Sequence, residues 1–215
     1  MKCVFCGLEK QTNIYCQNGH YICDECHERE TLEILGKVID SSSSKSPLRL
    51  FELIICHPSV QMHGPEHHAI VPAVVLAAIR NSGYAIPEGA IEQAIQRGAK
   101  IPGGWCGYYG ACGAAIGVGV AISVLTRATP LTGKERTLSI EATTSALNKI
   151  QDSSPRCCKR ASRKAIETAI DFLKDRLNIV LDTEHELSCK YSARNRECIT
   201  QDCTYFPSGS SNDRQ

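Results

Sequence analysis

The 215-residue sequence has almost no surplus of charge: 24 Lys and Arg stand against 23 Asp and Glu, a formal net charge of +1. A chain without a basic or acidic excess has no long-range pull toward nucleic acid or anionic lipid. One local basic run, Arg156, Lys159, Arg160, Arg163 and Lys164, has helical spacing. It predicts a solvated face, with nucleic-acid contact not favoured. A secretory signal is also lacking at the start, MKCVFCGLEK, where no charged region leads into an apolar one. This leads to the expectation of a cytoplasmic protein in reducing surroundings.

No run is long enough to span a bilayer. Residues 101–126 carry no charge, but IPGGWCGYYG is broken by proline and glycine, and the smooth part covers only 111–125. A spanning helix needs roughly 20 residues. Gly113 and Gly117 have the spacing of membrane helix pairs, a spacing that serves close contact in a soluble bundle equally well. No Gly-x4-Gly-Lys-Ser/Thr occurs, nor a complete Gly-x-Gly-x-x-Gly after a strand, so phosphate and dinucleotide loops are excluded. There is no internal repeat. For GGWCGYYGACGAAIGVGVAIS (103–123) there remains a buried helix entered through a flexible loop that bears thiols.

Cysteine is what the sequence has in excess, 13 in all. Without export, such a chain points to metal binding or thiol chemistry rather than disulfide stapling, and the odd count speaks against a complete disulfide framework. Residues 1–30 hold Cys3, Cys6, Cys16, His20, Cys23 and Cys26 with few apolar residues. Paired Cys-x2-Cys knuckles suit tetrahedral zinc, which would supply the folding energy of so small a module. The order resembles the first six ligands of a RING-type cross-brace. That resemblance implies one zinc on Cys3, Cys6, Cys23 and Cys26, with Cys16 and His20 as half of a second. The seventh and eighth RING ligands are missing, which leaves ubiquitin-ligase function without support. Either a single zinc ribbon or treble clef forms, or the tail completes a second site through Cys198, Cys203 and the nearby Cys189.

Beyond this module, residues 31–47 read as a helix (30–39) and a serine-rich linker. Residues 48–181 read as an all-α domain, and 182–215 as a cysteine-containing tail with a disordered end. Helices are predicted over 48–56, 64–83, 87–100, 132–150 and 162–180 from mixed three- and four-residue apolar steps. Proline or acid comes first in two of these helices, with glycine closing them. Pro72 falls in the first two turns of the second helix, where it bends rather than ends it.

Two stretches carry chemistry in this domain. In CHPSVQMHGPEHH (56–68), His63 and His67 are four apart, with Glu66 and His68 beside them. This spacing places two imidazoles on one helix side, as in helical metal sites, with Glu66 as base or ligand-orienting acceptor. In the second, Cys112 stands at a helix start, where the dipole favours thiolate. Cys106 lies a turn earlier, within reach for a shared cluster or a disulfide. Adjacent Cys157 and Cys158 precede another helix and suit metal ligation or sulfur relay.

MHGPEHH with VPAVVLAA, GGWCGYYGACGAAIG and PRCCKR together resemble the anaerobe-associated domain of unknown function 5714 family, over about residues 50–203. The segment Cys-Gly-Ala-Ala-x-Gly also resembles redox proteins named for a Cys-Gly-Cys-Ala-type signature. The family resemblance implies that these motifs act together; it lends boundaries and no reaction.

The leading expectation is a cysteine-rich metalloprotein with redox or sulfur-handling chemistry. Cys106, Cys112, Cys157 and Cys158 would surround an iron–sulfur cluster or thiolate-bound metal. His63, Glu66, His67 and His68 would serve as ligands or proton carriers, with catalysis on Cys106, Cys112, Glu66 and His67. Zinc would occupy the finger. The alternatives are a non-catalytic adaptor that binds a protein or RNA partner through finger and tail, and a zinc hydrolase built on the histidines. The partner, protein or small molecule, is unidentified.

Overall fold

The protein is described by a computed structural model over residues 1–3, 8–12, 21, 23–183 and 187–207. Within these residues it is all-helical, with eight α-helices, two 3-10 turns and only isolated β-bridges. The helices are α1 (Asp24–Ser41), α2 (Pro47–Ile55), α3 (Glu66–Asn81), α4 (Ala90–Gly98), α5 (Trp105–Tyr108), α6 (Gly113–Leu125), α7 (Gly133–Ile150) and α8 (Cys158–Leu177). None of them is long and apolar enough to cross a membrane.

The centre of the bundle is α3. Its sequence EHHAIVPAVVLAAIRN is apolar on every side, and residues from Glu66 through Ile79 are all buried. A helix without a polar face must be surrounded, and α3 is packed by α1, α2, α4, α6 and α8. Pro72 lies inside it, yet the helix runs on to Asn81. The proline ring removes the amide that would bond the His68 carbonyl, and the backbones of α4 and α6 come in close there. A Cβ built on Gly98 would sit 2.5 Å from His68 O, and one on Gly117 would sit 3.0 Å from Pro72 Cδ. Small residues on α6 thus buy close packing of backbones. The outer helix α7 buries only Ala142 and Ala146 and closes over α6.

Two boundaries differ from the sequence reading. The first helix begins at Asp24 rather than residue 30 and buries Leu35 and Ile39 in the main core. The serine stretch after it is docked: Asn81 Nδ2 donates to the carbonyls of Ser42 and Ser44 at 3.0 and 2.9 Å. Ser46 caps α2 by accepting the Arg49 amide at 3.2 Å, the role serine favours at a helix start. The last helix begins at Cys158, four residues before the expected start, so Cys157 is its N-cap.

The tail does not hang free over 187–207. Tyr191 Oη donates to the Ile55 carbonyl at 2.9 Å, and Tyr191 and Tyr205 are 5% and 4% exposed. The tail thereby covers the N-terminal half of α8.

The backbone contact at Gly98 sets a test. Gly98→Ala forces a methyl against the His68 and Ala69 backbone, which cannot swing aside, and should cost about 2 kcal/mol. Gly36→Ala, in mid-α1 with nothing within 4 Å of the added carbon, should stabilise by about 0.5–1 kcal/mol. Urea denaturation of the two variants should therefore shift in opposite directions.

Candidate functional site

Three helices bring their first turns to one place. The starts of α3, α6 and α8 line a cavity of about 1000 Å3, together with the 102–112 loop and the end of α7. Unpaired amides and the aligned peptide dipoles make each helix start favourable to negative charge. Cys106, Cys112, Cys157 and Cys158 all reach this cavity, as do His63, His67 and His68. The two stretches singled out in the sequence therefore line one cavity.

Each imidazole is held differently. His67 is 1% exposed, and its Nδ1 faces the Gly64 carbonyl at 3.2 Å and Glu66 Oε1 at 3.5 Å. Both neighbours are acceptors, so Nδ1 carries the proton and Nε2 keeps its lone pair. Among the described residues, that buried Nε2 has no hydrogen-bond partner. His63 is the mirror case: Nε2 faces Asn195 Oδ1 and Glu197 Oε2, each at 3.2 Å, and Nδ1 is buried without a partner among the described residues. Burial lowers the His63 pKa from its usual value against the opposing pull of Glu197. An imidazole with one N–H tied to oxygen and the other nitrogen bare is the arrangement found behind metal ligands. His68 is an anchor: Nδ1 bonds the Ile101 carbonyl at 2.9 Å, and a Cβ on Gly113 would fall 2.4 Å from its ring.

Glu66 is 1% exposed and accepts the Gln61 amide at 3.0 Å. Burial pushes its pKa up, but the hydrogen bonds the carboxylate accepts, that of His67 first, outweigh it, and the net shift is downward. A depressed carboxyl makes a poor proton acceptor, so Glu66 suits the holding of His67 better than the base role the sequence allowed.

The cavity thiols stand at helix starts. Cys112 is the N-cap of α6 and Cys157 that of α8, and neither side chain makes a capping hydrogen bond. Cys158, the first helical residue of α8, lines the same cavity. Cys198 bonds locally, accepting the Thr200 amide at 3.4 Å.

The expectation that the helix start lowers the Cys112 pKa is overturned. Burial pushes the Cys112 and Cys157 thiols up, and carries Cys158 up to about 12. Desolvation of a bare thiolate outweighs a few peptide dipoles. Cys106 differs: it is exposed on the short α5, between Gly104 and Gly110, whose φ angles of 81° and 69° fit glycine. Trp105 and Tyr109 stack beside it with ring centroids 5.3 Å apart.

The predicted solvated basic face is a second correction. Lys159, Arg160 and Arg163 are 2%, 7% and 1% exposed. Arg163 is clamped on Glu52 at 2.6 and 2.9 Å. Lys159 Nζ lies 4.5 Å from the centroid of the Tyr191 ring and 3.5 Å from the Ile55 carbonyl. These three side chains are engaged in contacts with neighbouring helices, loop and tail rather than solvated. Asn195 and Glu197, which orient His63, were missed; no sequence pattern links them to a histidine more than 130 positions away.

In the N-terminal segment, Cys3 and Cys23 are both 2% exposed, and the Cys23 amide donates to Cys3 Sγ at 3.3 Å. Cys6, Cys16, His20 and the Cys26 side chain lie outside the described residues. Among the described residues, no three His, Cys, Asp or Glu side chains are set closely enough to hold a single ion.

A family model described as a family of unknown function, DUF5714, matches residues 35–206. It takes in all of α2 to α8 and the tail, and leaves out the N-terminal cysteines. No curated protein and no solved structure matches the chain.

Burial lowers the Lys159 pKa from 10.5 to about 8, against the opposing charge of Glu66. Between these two values the unfolded chain binds the extra proton, so Lys159 stabilises the fold as pH rises and opposes it as pH falls. At pH 7 the full penalty, about 3 kcal/mol, is present. Lys159→Met should therefore be more stable than the parent at pH 7. That advantage should shrink by about 1 kcal/mol at pH 9, measured by urea denaturation of both proteins, in which the shared cysteine titrations cancel.

Proposed function

The chain belongs to the family of unknown function DUF5714, and from the chemistry of its cavity we propose that it is a redox or sulfur-handling metalloprotein. One observation carries this reading: soft thiols and buried imidazole nitrogens without hydrogen-bond partners line a single cavity onto which three helix starts open. Thiol and imidazole donors select transition metals over hard cations. The thiols, held protonated by burial, release their protons when a cation takes their place.

The residues that would hold the group are Cys112 and Cys158, with Cys106 brought in by the glycine loop and His67 Nε2 and His63 Nδ1 as imidazole donors. Such a group supplies electron transfer, or an open metal position for a sulfur-containing substrate. The chain's own residues divide the remaining work. Gly64 and Glu66 fix the His67 tautomer, and Asn195 and Glu197 fix that of His63.

Zinc is assigned separately to Cys3, Cys6, Cys23 and Cys26. Support comes from the close placement of Cys3 and Cys23, the antiparallel bridge between Lys2 and Glu9, and the position of Cys23 as the N-cap of α1. A knuckle followed by a helix start is the arrangement of small zinc modules.

Protein prepared without oxygen should be brown, absorb in the visible and contain iron. Cys112→Ser and Cys158→Ser should each lose most of the iron and absorbance. Cys56→Ser, an exposed thiol bonded to the Leu53 carbonyl, should keep both. A colourless protein with zinc alone, or full iron retention in both cavity variants, would overturn the centre.

A further inference from the structure

The wall of the cavity around the start of α8 carries a surplus of positive charge. Arg156, Arg160 and Lys164 line it, and among the described residues Asp152 is the one carboxylate on the lining. Arg160 and Lys164 share that carboxylate, at 3.6 and 3.2 Å. Arg160 is also fixed in place by Ser154 Oγ and the Pro155 carbonyl, while Arg156 is exposed. The first intrahelical bond of α8 runs from the Ala161 amide to the Cys157 carbonyl at 2.9 Å. The amides of Cys158, Lys159 and Arg160 therefore precede the ladder, and the Cys157 side chain does not cap them.

Ser162, one turn into the helix, points to a ligand. It is 0% exposed and lines the cavity, and its Oγ has no hydrogen-bond partner among the described residues. A helical serine or threonine commonly bonds the carbonyl four residues back, as Thr168 of the same helix does to Lys164 at 2.8 Å. Ser162 does not, and helical side chains lean toward the helix start, here toward the uncapped amides. A buried hydroxyl without a partner calls for a reason, and an acceptor brought by a ligand supplies one.

We propose that the cavity binds a small organic anion, headed by a carboxylate or a phosphate monoester, with the head group at the start of α8. Ser162 Oγ donates to the head group, the uncapped amides face it, and Arg156, Arg160 and Lys164 offset its charge. Guanidinium groups suit both head groups, whose paired oxygens accept N–H bonds. A volume of about 1000 Å3 far exceeds an inorganic ion and matches small-molecule sites, so the anion carries a body. Trp105 and Tyr109 on the same lining offer that body an apolar face. Binding stands on these residues alone; that the anion is the substrate of the metal centre rests on the reading given above.

Trp105 is the chain's one tryptophan and lines the cavity, so its emission reports on occupancy. The full chain, as isolated and after chelator treatment, is titrated with benzoate, phenyl phosphate and the uncharged benzyl alcohol. In both preparations at least one anion should give a saturable change with a Kd at or below about 1 mM. Benzyl alcohol should bind at least about tenfold more weakly, and the anion that binds identifies the head group. Ser162→Ala should weaken that anion about tenfold, and the exposed Arg156→Gln should weaken it several-fold. Lys174→Gln, in the last turn of α8, should match the parent. An equal response to all three probes, no saturable response to either anion, binding lost on chelation, or full affinity in either folded cavity variant overturns the site. Colourless protein that binds an anion sinks the metal centre alone, and brown protein that binds neither anion sinks this site alone.

Discussion

The site depends on how closely the start of α6 is pressed onto the start of α3. The His68 ring fills the space where a side chain on Gly113 would stand, and its Nδ1 is pinned to the Ile101 carbonyl. With that contact fixed, Cys112 is held on the cavity that His67 also lines, and the start of α8 lines it from another side. Three helix starts then share one cavity. Their amides and dipoles favour negative charge, whereas burial makes an isolated charge costly. The two tendencies meet on the sulfurs, which stand at helix starts yet are pushed by burial toward the protonated form. A soft cation of the kind proposed above would resolve this conflict, because it would neutralise the thiolates in place.

What could be read from the sequence was what depends on local pattern. The limits of α3 followed from Pro65 and Glu66 at its front and Asn81-Ser82-Gly83 at its end. The buried character of α6 followed from a stretch without charge that is too short to span a bilayer. The convergence of the histidine and glycine–cysteine stretches was legible only as a question, since both are helix starts and nothing local says that two starts meet. The basic run of α8 was misread for a related reason. Its spacing is that of a solvated face, but Glu52 lies 111 positions from Arg163, and Tyr191 and Tyr205 arrive from the tail. Burial of a charged face depends on partners that its own periodicity does not encode. The Cys112 pKa failed in the same way: a dipole is a property of one helix, and desolvation is a property of everything packed around it.

The contacts of His63 show why the tail belongs to this domain. Asn195 and Glu197 set the proton on His63 Nε2 and leave Nδ1 bare. Displacing residues 187–207 would release a cavity imidazole that does not itself belong to the tail. A family defined by the helices alone would end with α8 at Leu177; the match instead continues to residue 206. That limit is what the geometry requires if the tail is part of the site's construction rather than an appendage to it.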